Sequence, residues 1–215
     1  MKRFVSFLIL FAMAFVFLGA SCSKTEDYEA PQVCLDAGHG GEDYGAVYNT
    51  RYEKNDTFAM VNAVKRALEK KNIKAVLTRS EYKFISLQDR TKIANESGAK
   101  ILVSIHRNSG KNAKGVEIWI NSKNLWADRV LAENIMANLK ETGISADRGI
   151  KTGFQTDHSK NYYINSNTDI PSCIVELGFM NSDEDNKMFN NDNIKKYAES
   201  IADAIEISIN DIYDE

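Results

Sequence analysis

The sequence predicts one α/β domain, built as a mainly parallel twisted sheet with helices on both faces. Three observations carry that expectation. Short apolar runs (Val33-Cys34-Leu35, Ala75-Val76-Leu77, Ile101-Leu102-Val103, Cys173-Ile174-Val175) read as buried strands. Between them lie stretches whose apolar residues recur every three or four positions, as on amphipathic helices. Strands alternating with helices are the pattern of parallel connections. The 215 residues are enough for one substantial core and too few for two comfortable ones.

The N-terminus stands apart. Lys2 and Arg3 precede an almost wholly apolar run over 4–18, and Gly19-Ala20-Ser21-Cys22 follows. This reads as an export signal, too short for a spanning helix with a stop-transfer flank. Cys22 after small residues resembles a bacterial lipobox, although Gly19 stands where leucine is usual. The expectation is therefore a lipoprotein-type signal peptide over 1–21, lipidation at Cys22, a polar tether over 22–31 and a folded domain over 32–215. Ordinary signal cleavage and a soluble product is the alternative. Either route leads out of the cytoplasm, and the first leads to the periplasmic face of a bacterial membrane.

The folded region reads in order. A strand at 33–36 runs into a turn holding Gly38, Gly40, Gly41 and Gly45, where the backbone can approach a ligand closely. Phe58, Val61, Val64 and Leu68 predict a helix over 56–72, with Asp56 placed to cap it. A strand follows at 75–78. Ser86-Leu87-Gln88-Asp89 has the spacing of a capping box and opens a helix to about 96, ended by Gly98. Strands are expected at 101–105 and 116–120. A helix over 126–142 is expected to bury Val130, Leu131, Ile135 and Leu139 and to stop at Gly143. A short strand at 162–164, a buried one at 173–176 and a helix over 194–212 complete the pattern. His39, His106 and Glu176 fall at or just after strand ends, where open α/β sheets bind ligands.

Hydrophobic residues make up 43% and charged residues 27%, with a net charge of −3, as in ordinary globular protein. No basic patch is present, which excludes a nucleic-acid binder. Cys34 and Cys173 sit in apolar runs and read as unpaired buried thiols, although an oxidising compartment would permit a bond.

The chemistry concentrates in four residues. His39 stands in Asp36-Ala37-Gly38-His39-Gly40-Gly41, and Glu53 in Glu53-Lys54-Asn55-Asp56. His106 ends one apolar run and Glu176 another. Two imidazoles, a carboxylate and a spare carboxylate are the parts of a hydrolytic zinc site. Each has a plainer reading alone: a turn histidine, or a glutamate at a helix start. Glu176 is harder to explain, because a carboxylate on a buried strand is costly unless paired, for instance with Arg79 or Arg148, or functional. His158, in a polar loop, reads as a surface residue.

These motifs occur in order with Leu77-Thr78-Arg79, Ser104-Ile105-His106-Arg107-Asn108 and Val175-Glu176-Leu177-Gly178-Phe179. Together they resemble the zinc-dependent N-acetylmuramoyl-L-alanine amidases of the type 3 amidase family over roughly 32–209. The resemblance implies Zn2+ held by His39, Glu53 and His106, with Glu176 as the catalytic base. It implies hydrolysis of the amide between N-acetylmuramic acid and L-alanine in peptidoglycan, for wall remodelling or daughter-cell separation. Peptidoglycan is then the partner, the membrane is touched only through the lipid, and a monomer is the default. Arg107 departs from the family's usual small residue and is expected either to reach a substrate carboxylate or to be solvated. Asn108 is expected to bond the substrate peptide or hold the loop after His106. Asp36 either orients His39 or is a strand-end residue. Some members carry an inserted plug helix after the strand ending near 120; the few residues at 121–124 predict none here. The competing readings are a zinc peptidase or deacylase on another envelope amide, and a wall-binding lipoprotein without activity.

Overall fold

The computed structural model describes residues 30–214. The expected signal peptide, the proposed lipidation site Cys22 and nearly all of the expected tether lie outside the described residues. Among the described residues, no helix is long and apolar enough to cross a membrane.

The chain runs β1 (Val33–Ala37), β2 (Val47–Tyr48), β3 (Arg51–Tyr52), α1 (Glu53–Glu69), β4 (Ala75–Leu77), α2 (Leu87–Glu96), β5 (Ile101–Asn108), β6 (Val116–Ile120), α3 (Trp126–Thr142), β7 (Asp147–Thr152), α4 (Tyr163–Asn167), β8 (Ser172–Phe179), α5 (Asp183–Asn186) and α6 (Asn193–Tyr213). Six strands form one sheet in the order β4-β1-β5-β8-β6-β7, and β2 and β3 make a small hairpin. Every neighbour in the large sheet is parallel except β6, which lies antiparallel to β8. The predicted mainly parallel sheet is therefore observed.

Side chains alternate across a sheet, so each strand feeds two layers. Val33, Leu35, Val103, Ile105 and Val175 join the main core with residues of α1, α3 and α6. Their neighbours Cys34, Leu102, Trp119 and Ile174 join a smaller core with Ala94 of α2 and Ile164 of α4. Two residues further along each strand, that second face turns polar. Cys34 is followed by Asp36, Leu102 by Ser104 and His106, and Ile174 by Glu176; on the antiparallel strand, Trp119 is preceded by Glu117. One half of the face is closed by apolar packing. The other half carries chemistry.

Several elements differ from expectation. The first helix starts at Glu53, because the β2–β3 hairpin delivers the chain straight into it; Tyr52 is the N-cap residue. Asp56 is not a cap: it lies inside the helix and accepts hydrogen bonds from Arg51 and Arg107. Residues 162–164 are not a strand: Tyr162 is the N-cap residue of α4, and 163–164 are its first two positions. The sheet position beside β6 is taken by β7, whose Asp-Arg-Gly-Ile-Lys-Thr sequence carries no apolar run. The capping box is observed, with Ser86 Oγ accepting from the Asp89 amide at 3.1 Å, and Gly143 ends α3 at φ 100°. Cys34 and Cys173 are both free and buried. They belong to different cores, on opposite faces of the sheet, and so do not meet.

Candidate metal centre and active site

β5 and β8 both run past their predicted ends. His106 and Glu176 consequently lie within paired strands, directly opposite one another in the register. His39 follows β1 with φ 62°, a left-handed conformation that non-glycine residues seldom adopt outside constrained sites. Two glycines make the crowding possible. A Cβ at Gly38 would stand 2.3 Å from His106 Cε1. One at Gly45 would stand 2.6 Å from Glu53 Oε2, and φ there is +65°.

Glu53 is the hub. Its Oε1 lies 3.1 Å from His39 Nε2 and 3.0 Å from His106 Nδ1. The three residues offer one ligand atom each, all within 4.8 Å of one another. Two backbone amides hold the carboxylate in place: Arg107 N–H donates to Oε1 at 2.9 Å and Ala46 N–H to Oε2 at 2.7 Å. The other nitrogen of His39, Nδ1, lies 2.9 Å from Asp43 Oδ2, which fixes the ring and leaves Nε2 for the centre. Burial pushes the Glu53 carboxyl upward, but hydrogen bonds from His106 and His39 outweigh it and hold the group well below the usual carboxylate range. Burial opposes charge on His106, yet bonding to Glu53 and the nearby Glu176 and Asp36 raise it to about 9. The pocket is built to share positive charge around one buried carboxylate.

Glu176 has a different environment. Its Oε2 is buried and has no hydrogen-bond partner. Burial raises its pKa to about 7; His106 pulls it down, while Glu53 and Glu117 push it up. Neither Arg79 nor Arg148 pairs with it. Arg79 instead donates to the carbonyls of Ala37, Gly38 and Lys54, and Arg148 to Glu117. Two imidazoles and one carboxylate are a donor set suited to zinc with a position left open. The orphaned Oε2 needs a donor, and a water at that centre would supply one. The residues therefore fit the metal.

Asp36 is buried and does not touch His39. It accepts from Thr78 Oγ1 at 2.5 Å, Ser104 Oγ at 2.6 Å and Arg90 Nη1 at 2.7 Å. Arg90 also donates to the His39 carbonyl at 2.6 Å, so Asp36 steadies the glycine-rich turn through Arg90. The direct contact to the ring belongs to Asp43, which sequence reading missed.

The expectations for Arg107 are overturned. Its guanidinium is 0% exposed, since residue 107 faces the opposite side of β5 from His106. It donates to Asp56 Oδ2 at 2.6 Å, Asn186 Oδ1 at 2.8 Å and the carbonyls of Leu177 and Phe179. It ties α1, β8 and α5 together and does not reach solvent. Asn108 donates to Glu117 Oε1 at 2.8 Å and accepts from the Ser109 amide, so it braces the loop after β5. Glu117 was also missed, although a carboxylate inside Val-Glu-Ile-Trp-Ile is the same signal that marked Glu176. His158 is exposed, donates from Nδ1 to the Thr152 carbonyl at 2.9 Å and stacks on Trp119, apart from the metal residues.

A three-residue ligand set beside a raised carboxylate, on the open half of a mixed sheet, defines a hydrolase with a candidate metal centre. The chain belongs to the N-acetylmuramoyl-L-alanine amidase family, whose profile matches residues 33–207. These enzymes cleave the amide that joins peptide to glycan in peptidoglycan. The chain is 33% identical to uncharacterized protein YqiI of Bacillus subtilis over 91% of this chain and 92% of that one. It is 32% identical to the Staphylococcus epidermidis protein named "Probable cell wall amidase LytH", covering 74% of this chain and 51% of that one. Among solved structures, N-acetylmuramoyl-L-alanine amidase from Clostridium difficile 630 superposes with a TM-score of 0.76 at 32% identity, over 86% of this chain and 98% of that one. The catalytic domain of CwlV from Bacillus (Paenibacillus) polymyxa gives 0.74 at 32% identity, over 83% and 97%.

Proposed function

We propose that this amidase is a zinc enzyme in which His39, Glu53 and His106 hold the metal and Glu176 moves the proton. The observation that carries the reading is the convergence of three ligand atoms within 4.8 Å beside a buried carboxylate oxygen that has no partner. Zinc bound there supplies a Lewis acid and an acidified water at neutral pH. Glu176, a carboxyl that burial raises above its ordinary range in the metal-free protein, is poised to accept the proton of the attacking water and return it to the departing alanine amine. Asp43 holds the His39 ring, and the Ala46 and Arg107 amides hold Glu53, so the ligands are set before metal arrives.

The substrate lies in the cell envelope, and wall remodelling or daughter-cell separation is the role that fits it. A lipid on Cys22 would tether residues 32–215 beside that polymer; loss of labelled fatty acid on Cys22→Ser tests the anchor. The function itself is tested on purified sacculi with zinc-loaded protein. The reading requires released stem peptides with a free L-alanine amine and glycan stripped of peptide. Release of peptides cut at an internal bond would point instead to a peptidase.

A further inference from the structure

Beyond Glu176 the polar half of the sheet continues onto β6 and β7. Glu117 is the direct partner of Glu176 in the antiparallel register, and it is 1% exposed. Its Oε2 accepts from Arg148 Nε at 2.8 Å and Lys151 Nζ at 2.6 Å. Its Oε1 accepts from Asn108 and Trp119. One buried anion thus anchors two cations, leaving a net positive charge. Both cations reach solvent, with side chains 36% and 30% exposed. Arg148 spends only Nε on Glu117; among the described residues its two terminal nitrogens have no hydrogen-bond partner, and its plane lies over Phe179. A guanidinium held by one edge and open at the other is arranged for a carboxylate.

On the other flank, among the described residues lining the adjoining cavity, no lysine or arginine has a free charged edge. A cavity of about 330 Å³ opens there directly on the metal centre, lined by His39, His106 and Asp43 together with the apolar Phe84, Ile85 and Leu87; its one arginine, Arg90, is committed to Asp36 and backbone carbonyls.

We infer that Arg148 and Lys151 form a specificity site that takes a free carboxylate of the substrate peptide, so that the peptide limb runs from the metal centre across β8 and β6 towards β7. The inference rests on the amidase reading. Strands are about 4.8 Å apart, so Glu176 and the β7 cations are separated by about 10 Å. An extended peptide covers that span in about three residues. The group recognised is an acidic residue near the third position from the cleaved amide, not the alanine itself.

The test uses zinc-loaded Glu176→Gln protein, which binds without turnover, and two synthetic muramyl tripeptides that differ only in whether the carboxylates beyond L-alanine are free or amidated. The free form should bind about tenfold more tightly, as expected for a charge-assisted contact. Adding Arg148→Gln and Lys151→Gln should remove the difference by weakening only the free form; glutamine amides keep Glu117 hydrogen-bonded, so the fold is retained. Arg148→Lys alone should keep part of the preference. Equal affinity for both peptides in the parent, or a preference that survives the double replacement, overturns the inference. Wild-type turnover of the same peptides separates the two readings. A preference without cleavage would remove the amidase and keep the anchor; cleavage without preference would do the reverse.

Discussion

Glu117 and Glu176 sit opposite one another on antiparallel strands and have contrary fates. Glu117 receives Arg148, Lys151, Asn108 and Trp119; although burial works against it, those partners keep its pKa below the ordinary value. Glu176 receives nothing on Oε2 and is raised to about 7. Neighbouring carboxyls whose environments drive them apart divide the labour of a site: one stays an anion and one exchanges protons.

That division predicts opposite effects on activity and stability. Burial raises the folded pKa of Glu176 from 4.5 to about 7. The folded state thus binds a proton that the unfolded state has released, and stability falls as pH rises through that window. Glu176→Gln should abolish turnover and raise the stability of metal-free protein at pH 8 by about 1 kcal/mol, allowing for partial solvent screening. At pH 4 the gain should vanish. Thermal melts at the two pH values check this.

As the proposed base, the same group should set the acid limb of activity. Below about pH 7 Glu176 is increasingly protonated in the metal-free protein, and bound zinc, being a cation, moves that limb lower. The prediction is a kcat/KM that falls tenfold per pH unit on the acid side. A flat profile down to pH 4 would remove Glu176 from proton transfer.

Asp43 touches His39 and no other of the three proposed metal ligands. Asp43→Ala should weaken zinc affinity by about 10–100-fold while leaving the fold intact. Competition with a chelator of known affinity measures the change.

Arg107→Ala should act on folding. It removes a buried cation that serves Asp56, Asn186 and two carbonyls, and the cost should be about 3–5 kcal/mol in denaturant unfolding. Whatever protein folds should keep its ordinary KM, since the guanidinium points away from the groove.

The strands and long helices were legible because their apolar periods are clean, as in Ile101-Leu102-Val103 or Leu131, Ile135 and Leu139. His39, His106 and Glu176 were legible because each is a polar group at a glycine turn or the end of a buried strand, whereas Glu53, at a helix start, stood out only through the ordered motifs of the family resemblance. β7 was not, since Asp147–Thr152 is stabilised by its place beside β6 and not by its own composition. The sense of Arg107 was lost for a related reason. Beside a ligand in sequence means on the opposite face in a strand, so adjacency misled where alternation would have guided. Asp43 gave no local signal, because its partnership with His39 depends on the tight turn closed by the Gly40–Asp43 bridge.

The most direct test is zinc content measured together with peptidoglycan products for wild type, His39→Ala, Glu53→Ala, His106→Ala and Glu176→Gln. Wild type should hold one zinc per chain and release peptides bearing a free L-alanine amine. Each of the three alanine variants should lose the metal and the products together, and Glu176→Gln should keep the metal and lose only the products. Full zinc occupancy in all three alanine variants, or undiminished release by Glu176→Gln, would contradict the account.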